Sequence, residues 1–347
     1  MNYILADGTF REALLPLTYT RPISDIRIGI LTIKEKWEKH LGTTVSDKTE
    51  AYLSEKFPLV TSLENVVIHS IFLPNPELVS AINALSENEM LLYGETIVAY
   101  QTTHVEQNPT LDAFKKVSFE GKLITVTNPW DIFSKNGEAL QADFELLTDG
   151  SKSQPLSETN QVVNAENIFL EEGATVEFSI LNASTGPIYI GKNAQILEGC
   201  IVRGGLALCD HAILKMGSKI YGPTTAGPGS KLGGEVNNSV LFANSNKGHE
   251  GFLGNSVLGE WCNLGADTNT SNLKNNYAEV RLWSYQTEGF ARTGLQFCGL
   301  IMGDHSKCGI NTMFNTGTVV GVSANIFGSG YPSTFIPSFS WGGAAGF

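Results

Sequence analysis

From about Asn167 the chain repeats with a period of six, and this limits its fold more tightly than any other feature. Aliphatic residues recur at Ile190, Ile196, Val202, Leu208, Leu214 and Ile220, followed by Ala226 and Leu232. A second set, mostly small, trails four residues behind at Ala194, Cys200, Leu206, Ala212, Ser218, Thr224, Ser230 and Val236. The frame returns at Met302, Cys308, Phe314, Val320 and Ile326, with Ser306, Thr312, Thr318 and Ala324 as companions. A large aliphatic residue at i and a small one at i+4 is the hexapeptide repeat, in which three hexads close one triangular coil. The large side chain fills the prism and the small one fits the corner, where nearby Gly or Asn accepts positive φ. Stacked coils form parallel ladders, each covering the edge of the last. The expected architecture is a left-handed parallel β-helix, its handedness resting on the repeat rather than on the usual crossover rule.

The cysteines fit this frame. Cys200, Cys262 and Cys308 fall on interior or small positions, where a free thiol acts as a small hydrophobe. With five cysteines and no CxxC pair, neither a disulfide framework nor a zinc site is expected.

Residues before the repeat have a different texture. NYILA and NVVIHSIFL read as buried strands, with ETIVAY and KLITV as further short ones. ISDIRIGILTIKEKWEKHL reads as a helix, with Ile26, Ile30, Ile33 and Trp37 at helical spacing. NPELVSAINAL reads as a second helix, capped by Asn75 with Pro76 at its first position. Alternation of strands and helices predicts a doubly wound α/β domain with a parallel sheet. The polar stretch from Thr148 to Gln161 reads as a connection, so the domains are placed at 1–160 and 161–347.

Charge narrows the partners. A net charge of -12 gives no basic surface for nucleic acid or an anionic membrane. The N-terminal residues lack a basic leader followed by an apolar run, and no apolar stretch approaches the ~20 residues of a membrane span. The expected setting is the cytoplasm, with small molecules as ligands.

The repeat is disturbed in two places, and such corner excursions are where a rigid solenoid carries function. After Leu232 the frame slips by two, resumes at Val240, passes the polar Asn246, and continues at Phe252, Leu258, Leu264 and Thr270. The second break spans Trp283 to Phe297. Between them lie Lys247, His249, Asn263, Asn269, Asn272 and Lys274. A histidine can act as a general base near neutrality, Asn supplies neutral donors and acceptors, and Gly-rich backbone exposes N–H groups to a developing oxyanion.

NKGHEGFLGNSVLGEWCNLGADTNTSNL resembles the acetyltransferase core of the bifunctional N-acetylglucosamine-1-phosphate uridyltransferase/glucosamine-1-phosphate acetyltransferase family (GlmU). That family carries G-H-x-x-Y-x-G-D and then N-I-G-A-G-T-x-x-x-N-Y. The resemblance implies an acyltransferase using acetyl-CoA as cosubstrate, with His249 as general base and Asn272 as active-site Asn. It places the acyl-CoA against Gly265 and Ala266, with Lys307 as a candidate for its phosphates. It also implies a homotrimer with active sites between neighbouring prisms. Phe252 and Leu273 stand where the family has tyrosines, and Asn237 where it has lysine, which points either to a different acceptor or to a degenerate site.

The first half resembles the family's nucleotidyltransferase domain. LADGTFREALLPLTYTRPI is similar to its phosphate loop, which implies nucleotide contacts for Gly8, Arg11 and Arg21 and allows Mg²⁺ in this domain. HSIFLP stands where the family's metal-holding N-G-D is expected. NPWDIFSKNGEALQADFELLT resembles a segment of GlmU-like sugar nucleotidyltransferases.

Two other readings compete. His211, His249 and His305 each lie three residues beyond an interior position, which would suit a metal-dependent hydratase of the γ-carbonic anhydrase kind. A non-catalytic β-helix joined to a nucleotide- or sugar-binding domain would leave His249 without a role.

Overall fold

In the computed structural model, which describes residues 1–105 and 113–347, the chain forms two units. The first comprises Met1–Leu14, Thr20–Ile26 and Leu31–Thr127; the second comprises Leu15–Tyr19, Arg27–Ile30 and Asn128–Phe347.

The first unit is built on strands β1 (Asn2–Ala6), β2 (Ser46–Lys48), β3 (Asn65–His69), β4 (Glu89–Tyr93), β5 (Thr96–Thr102) and β6 (Lys115–Ser118). Their order is β2-β1-β3-β5-β4-β6. Helices α1 (Ile33–Leu41) and α2 (Pro76–Asn83) are the α-helices among its described residues. β1 pairs in parallel with both β2 and β3, so the chain changes direction across the sheet at β1. β5 is antiparallel to β3 and to β4, which makes the sheet mixed rather than parallel. The cause is local: Gly94, at φ +58, closes a hairpin between β4 and β5. KLITV forms no strand; of its residues only Thr125 makes a bridge, to Phe72.

The long helix expected from Ile23 is also cut short. Only Ile33–Leu41 is α-helical, entered through a capping box between Thr32 and Glu35 and left through Gly42 at φ +66. Arg27–Ile30 instead runs as a strap within the second unit. Its backbone bonds go to side chains: Gly29 N–H to Asn136 Oδ1 (2.7 Å) and Ile30 N–H to Asp143 Oδ2 (2.7 Å). Thr225 Oγ1 donates to the Gly29 carbonyl at 2.8 Å. Helices α3 (Pro129–Ser134) and α4 (Asn136–Thr148) thus lie with the solenoid, Asn136 also donating to the Pro223 carbonyl at 3.0 Å.

The remainder is a parallel β-helix. Two of its faces are nine-stranded ladders and a third has six strands. One interior column runs Leu181, Val202, Ile220, Val236, Leu253, paired coil by coil. The second runs Ile190, Leu208, Ala226, Leu241, Leu258, Met302, Val320, Ile336. The third holds Ile196, Leu214 and Leu232, and returns to Leu264, Cys308 and Ile326. All five cysteines are free and buried.

The frame after Leu232 differs from the sequence expectation by one residue. Interior positions are Val236, Leu241, Lys247, Leu253 and Leu258, not Val240, Asn246 and Phe252. The slip totals three residues: two are lost at the Gly233–Gly234 corner and one between Val236 and Leu241. A further residue is lost between Leu253 and Leu258, which restores the expected frame. From Ser271 to Gly299 the chain leaves the coil, and its antiparallel ribbon pairs Arg281–Ser284 with Gly289–Arg292.

Candidate functional site

Two places collect the chemistry, one in each unit. In the first unit a cavity of about 600 Å³ opens at the C-terminal ends of β1, β2 and β3. This is the reversal point of the strand order, where open α/β sheets bind ligands. Its lining includes Asp7, Gly8 and Thr9 after β1, Lys48, Thr49 and Glu50 after β2, and His69, Ile97 and Tyr100. Gly8, at φ +56, starts a turn that brings the backbone to within 3.5 Å of His69 Nε2, measured from where a Cβ would stand. Asp7 accepts from Ile23 N–H (2.8 Å) and Thr49 Oγ1 (2.5 Å). Burial nonetheless pushes its carboxyl up to about 6. Burial also lowers the His69 imidazole to about 4, so it is neutral at physiological pH, and raises the Tyr100 phenol to about 12.

Of the three nucleotide contacts expected here, Gly8 lines the cavity while Arg11 and Arg21 are not among its lining residues. Arg11 bonds the Tyr52 hydroxyl and lies 3.7 Å from Asp7; Arg21 lies 3.2 Å from Asp25. Lys48, Thr49 and His69 escaped the sequence reading because the first two sit at the end of β2 and the third at the end of β3, far from Gly8 along the chain. Asp7 was legible within LADG. Among the described residues no three His, Cys, Asp or Glu side chains gather to hold a metal, and Asp7 is committed to two donors.

In the solenoid, His249 stands exposed on the corner between interior residues Lys247 and Leu253. The corner before it is unusually short, Gly233–Gly234–Glu235, and the two pack closely. A Cβ on Gly233 would lie 2.6 Å from the Gly248 carbonyl group, and one on Gly234 (φ +68) 2.9 Å from the His249 oxygen. Only glycine permits this approach. Gly265 and Ala266 occupy the same corner one coil on, and Gly309 and Ile310 occupy it on the coil after that; Lys307 stands before this corner, on the face, in register with Asn263. Successive coils are ~4.8 Å apart, so His249 and Gly265–Ala266 line one edge of the prism, with Lys307 on the face beside it. Gly265 N–H donates to Cys308 O (3.1 Å), Ala266 O accepts from Asn311 N–H (2.8 Å), and exposed Lys307 bonds the His305 carbonyl (3.1 Å).

Asn272 lies elsewhere. Half-buried where the excursion leaves the coil, it donates from Nδ2 to Asn255 Oδ1 at 2.8 Å. His249 and Asn272 therefore flank opposite ends of the strand Phe252–Gly254. The three histidines do not share a corner. His211 (φ +59) and His305 (φ +61) belong to the column of left-handed residues that includes Asn193, Asn244, Trp261 and Ser323, while His249 lies on the next edge.

A mixed α/β unit and a hexapeptide solenoid are the classes these features define. The comparisons agree. Residues 3–152 match the sugar nucleotidyl transferase family. The chain is 26% identical over 224 residues to the bifunctional protein GlmU of Methanococcus maripaludis, covering 62% of this chain and 48% of that protein. It is 26% identical over 143 residues to the uncharacterized acetyltransferase YaiX of Escherichia coli O6:K15:H31, covering 41% of this chain and 61% of that one. The chain thus spans about half to three-fifths of the length of these relatives. A solved structure, the acetyltransferase domain of PglB from Neisseria gonorrhoeae, aligns over 94% of this chain and 97% of its own at 10% identity and a TM-score of 0.16, which carries no argument. No helix among the described residues is long and apolar enough to cross a membrane.

Proposed function

We propose that this chain is a cytoplasmic transferase of sugar-nucleotide chemistry. Its solenoid moves an acetyl group from acetyl-CoA to the amine of an amino-sugar phosphate, with His249 as general base. The observation that carries this reading is the prism edge holding His249 and the Gly265–Ala266 corner, with Lys307 on the adjoining face. An extended acyl-CoA laid along that edge meets backbone at the thioester and a cation farther on.

In the proposed step the His249 imidazole takes a proton from the attacking amine as the C–N bond forms at the thioester carbonyl. Backbone N–H groups stabilise the tetrahedral oxyanion. The C–S bond then breaks, and the departing CoA sulfur receives the proton from His249. Because His249 and Asn272 flank opposite ends of one strand, the reading favours a homotrimer in which Asn272 serves a site shared between prisms. Phe252 presents no hydroxyl to an acceptor, and its ring folds back over Gly254. The acceptor therefore differs from that of an enzyme with tyrosine there.

For the first unit we propose that the cavity around Gly8 takes a nucleotide or a sugar-1-phosphate, with Mg²⁺ entering only as a companion of ligand phosphates. Release of pyrophosphate from UTP or dTTP with a panel of sugar-1-phosphates and Mg²⁺ tests turnover. Ligand-dependent thermal stabilisation without pyrophosphate would identify a binding domain instead. Acetyl-CoA-dependent modification of amino-sugar phosphates, lost in His249→Ala, tests the solenoid; full activity in that variant would refute the assignment.

A further inference from the structure

Lys247 occupies a place where the solenoid otherwise puts an aliphatic side chain. Its register partner on the preceding coil is Leu232, and Leu264 takes the same place one coil on. The residue is only 2% exposed. Its hydrogen bonds run to backbone carbonyls rather than to a carboxylate: Nζ donates to His249 O at 2.5 Å and to Glu250 O at 3.2 Å. An ammonium buried in this way is costly, and leucine would fill the column without that cost.

The corner itself shows what the lysine does. Two ladder bonds bracket it, Gly233 N–H to Lys247 O (2.6 Å) and Glu235 N–H to Gly251 O (3.2 Å). Between them the shortened preceding coil has one residue, Gly234, against the three residues Gly248, His249 and Glu250, and it stands against the His249 oxygen. Donors are scarce at the coil carrying His249. The lysine supplies them from inside the prism.

We infer that Lys247 is a positioning residue for His249, an internal strut whose ammonium fixes the His249–Glu250 backbone so that the imidazole is presented to the substrate edge in one orientation. The inference rests on the proposed role of His249 as base, but the strut itself can be tested without it. It also accounts for the lysine two residues before the histidine, which no contact with substrate would explain, since its side chain points into the core.

The test uses the full chain with Lys247→Leu, the residue of its column neighbours, and Lys247→Met, which keeps the length without donors. Amide hydrogen exchange is followed by mass spectrometry across 246–254 and across the other coils. Loss of the two charge-assisted bonds predicts exchange at Gly248–Gly251 faster by about tenfold, with other coils unchanged and melting temperature equal or higher. In acetyl transfer, kcat falls by about tenfold or more while the KM for acetyl-CoA changes little. Unchanged exchange at the corner overturns the inference. So does a loss of protection spread over the whole solenoid, which would make Lys247 an ordinary structural residue. So does wild-type kcat in a variant whose corner has loosened, provided His249→Ala is inactive. If the wild-type protein transfers no acetyl group, or His249→Ala retains activity, the base assignment fails while the exchange data still decide on the strut.

Discussion

Replacing Lys247 by leucine should change how stability depends on pH, with a sign that the geometry fixes. Burial holds the ammonium near a pKa of about 8, against 10.5 for a solvated lysine. Glu250 and Asp267 oppose this depression and Lys219 adds to it, but desolvation is the largest cause. Between pH 8 and 10.5 the unfolded chain therefore holds more protons at this residue than the folded one, so folding gains stability as pH rises through that window. Below pH 8 both states are protonated and the full cost of the buried charge is present. The shift corresponds to at most about 3 kcal/mol. Urea unfolding of wild type and Lys247→Leu at pH 7.5 and pH 10 isolates this contribution, because other titrating groups cancel in the difference. Lys247→Leu should be the more stable protein at pH 7.5. Its advantage should shrink by about 2 kcal/mol or more at pH 10. An advantage constant within about 0.5 kcal/mol would show that Lys247 is not held in the interior as an ammonium.

Other perturbations follow from the same geometry. Leu253→Ala empties a fully buried column position between Val236 and the next coil, and should cost about 2–5 kcal/mol in chemical denaturation. Thr32→Ala removes one half of the α1 capping box, so about 1 kcal/mol should be lost by the same assay. Asp7→Asn should abolish a stability component that wild type loses as pH rises from 4 to 6, because the folded carboxyl titrates near 6 and the unfolded one near 3.8; urea melts across that range read it directly. Gly8→Ala places a methyl at a left-handed φ facing His69, and should weaken thermal stabilisation of the protein by sugar phosphates or nucleotides.

The solenoid was legible because its constraint is local and repeated: each coil needs an aliphatic residue inside and a small one at the corner. The same rule hid Lys247. Reading for apolar interior residues put Val240 and Phe252 inside and turned Lys247 outward, although the coil is shortened by three residues and the lysine faces the core. In the first half the strands NYILA and NVVIH were legible from β-branched, apolar runs. The strap Arg27–Ile30 was not, because its conformation is set by Asn136, Asp143 and Thr225, more than a hundred residues away. Likewise most of the residues that meet around Gly8 come from other strand ends, and only Asp7 and Thr9 adjoin it in sequence. The edge carrying His249 and Gly265–Ala266 was legible in part. Its residues could be chosen by resemblance, but that they fall on one corner column depends on counting residues through the shortened coils.

The central claim is that His249 is the base of an acyl transfer from acetyl-CoA. It is tested most directly by following free-thiol release from acetyl-CoA with amino-sugar phosphates, in wild type and in His249→Ala. The account predicts acceptor-dependent thiol release by wild type and a rate lower by about 10²-fold or more in the variant. Equal rates in the two proteins, or no acceptor-dependent release by wild type across the panel, would contradict it.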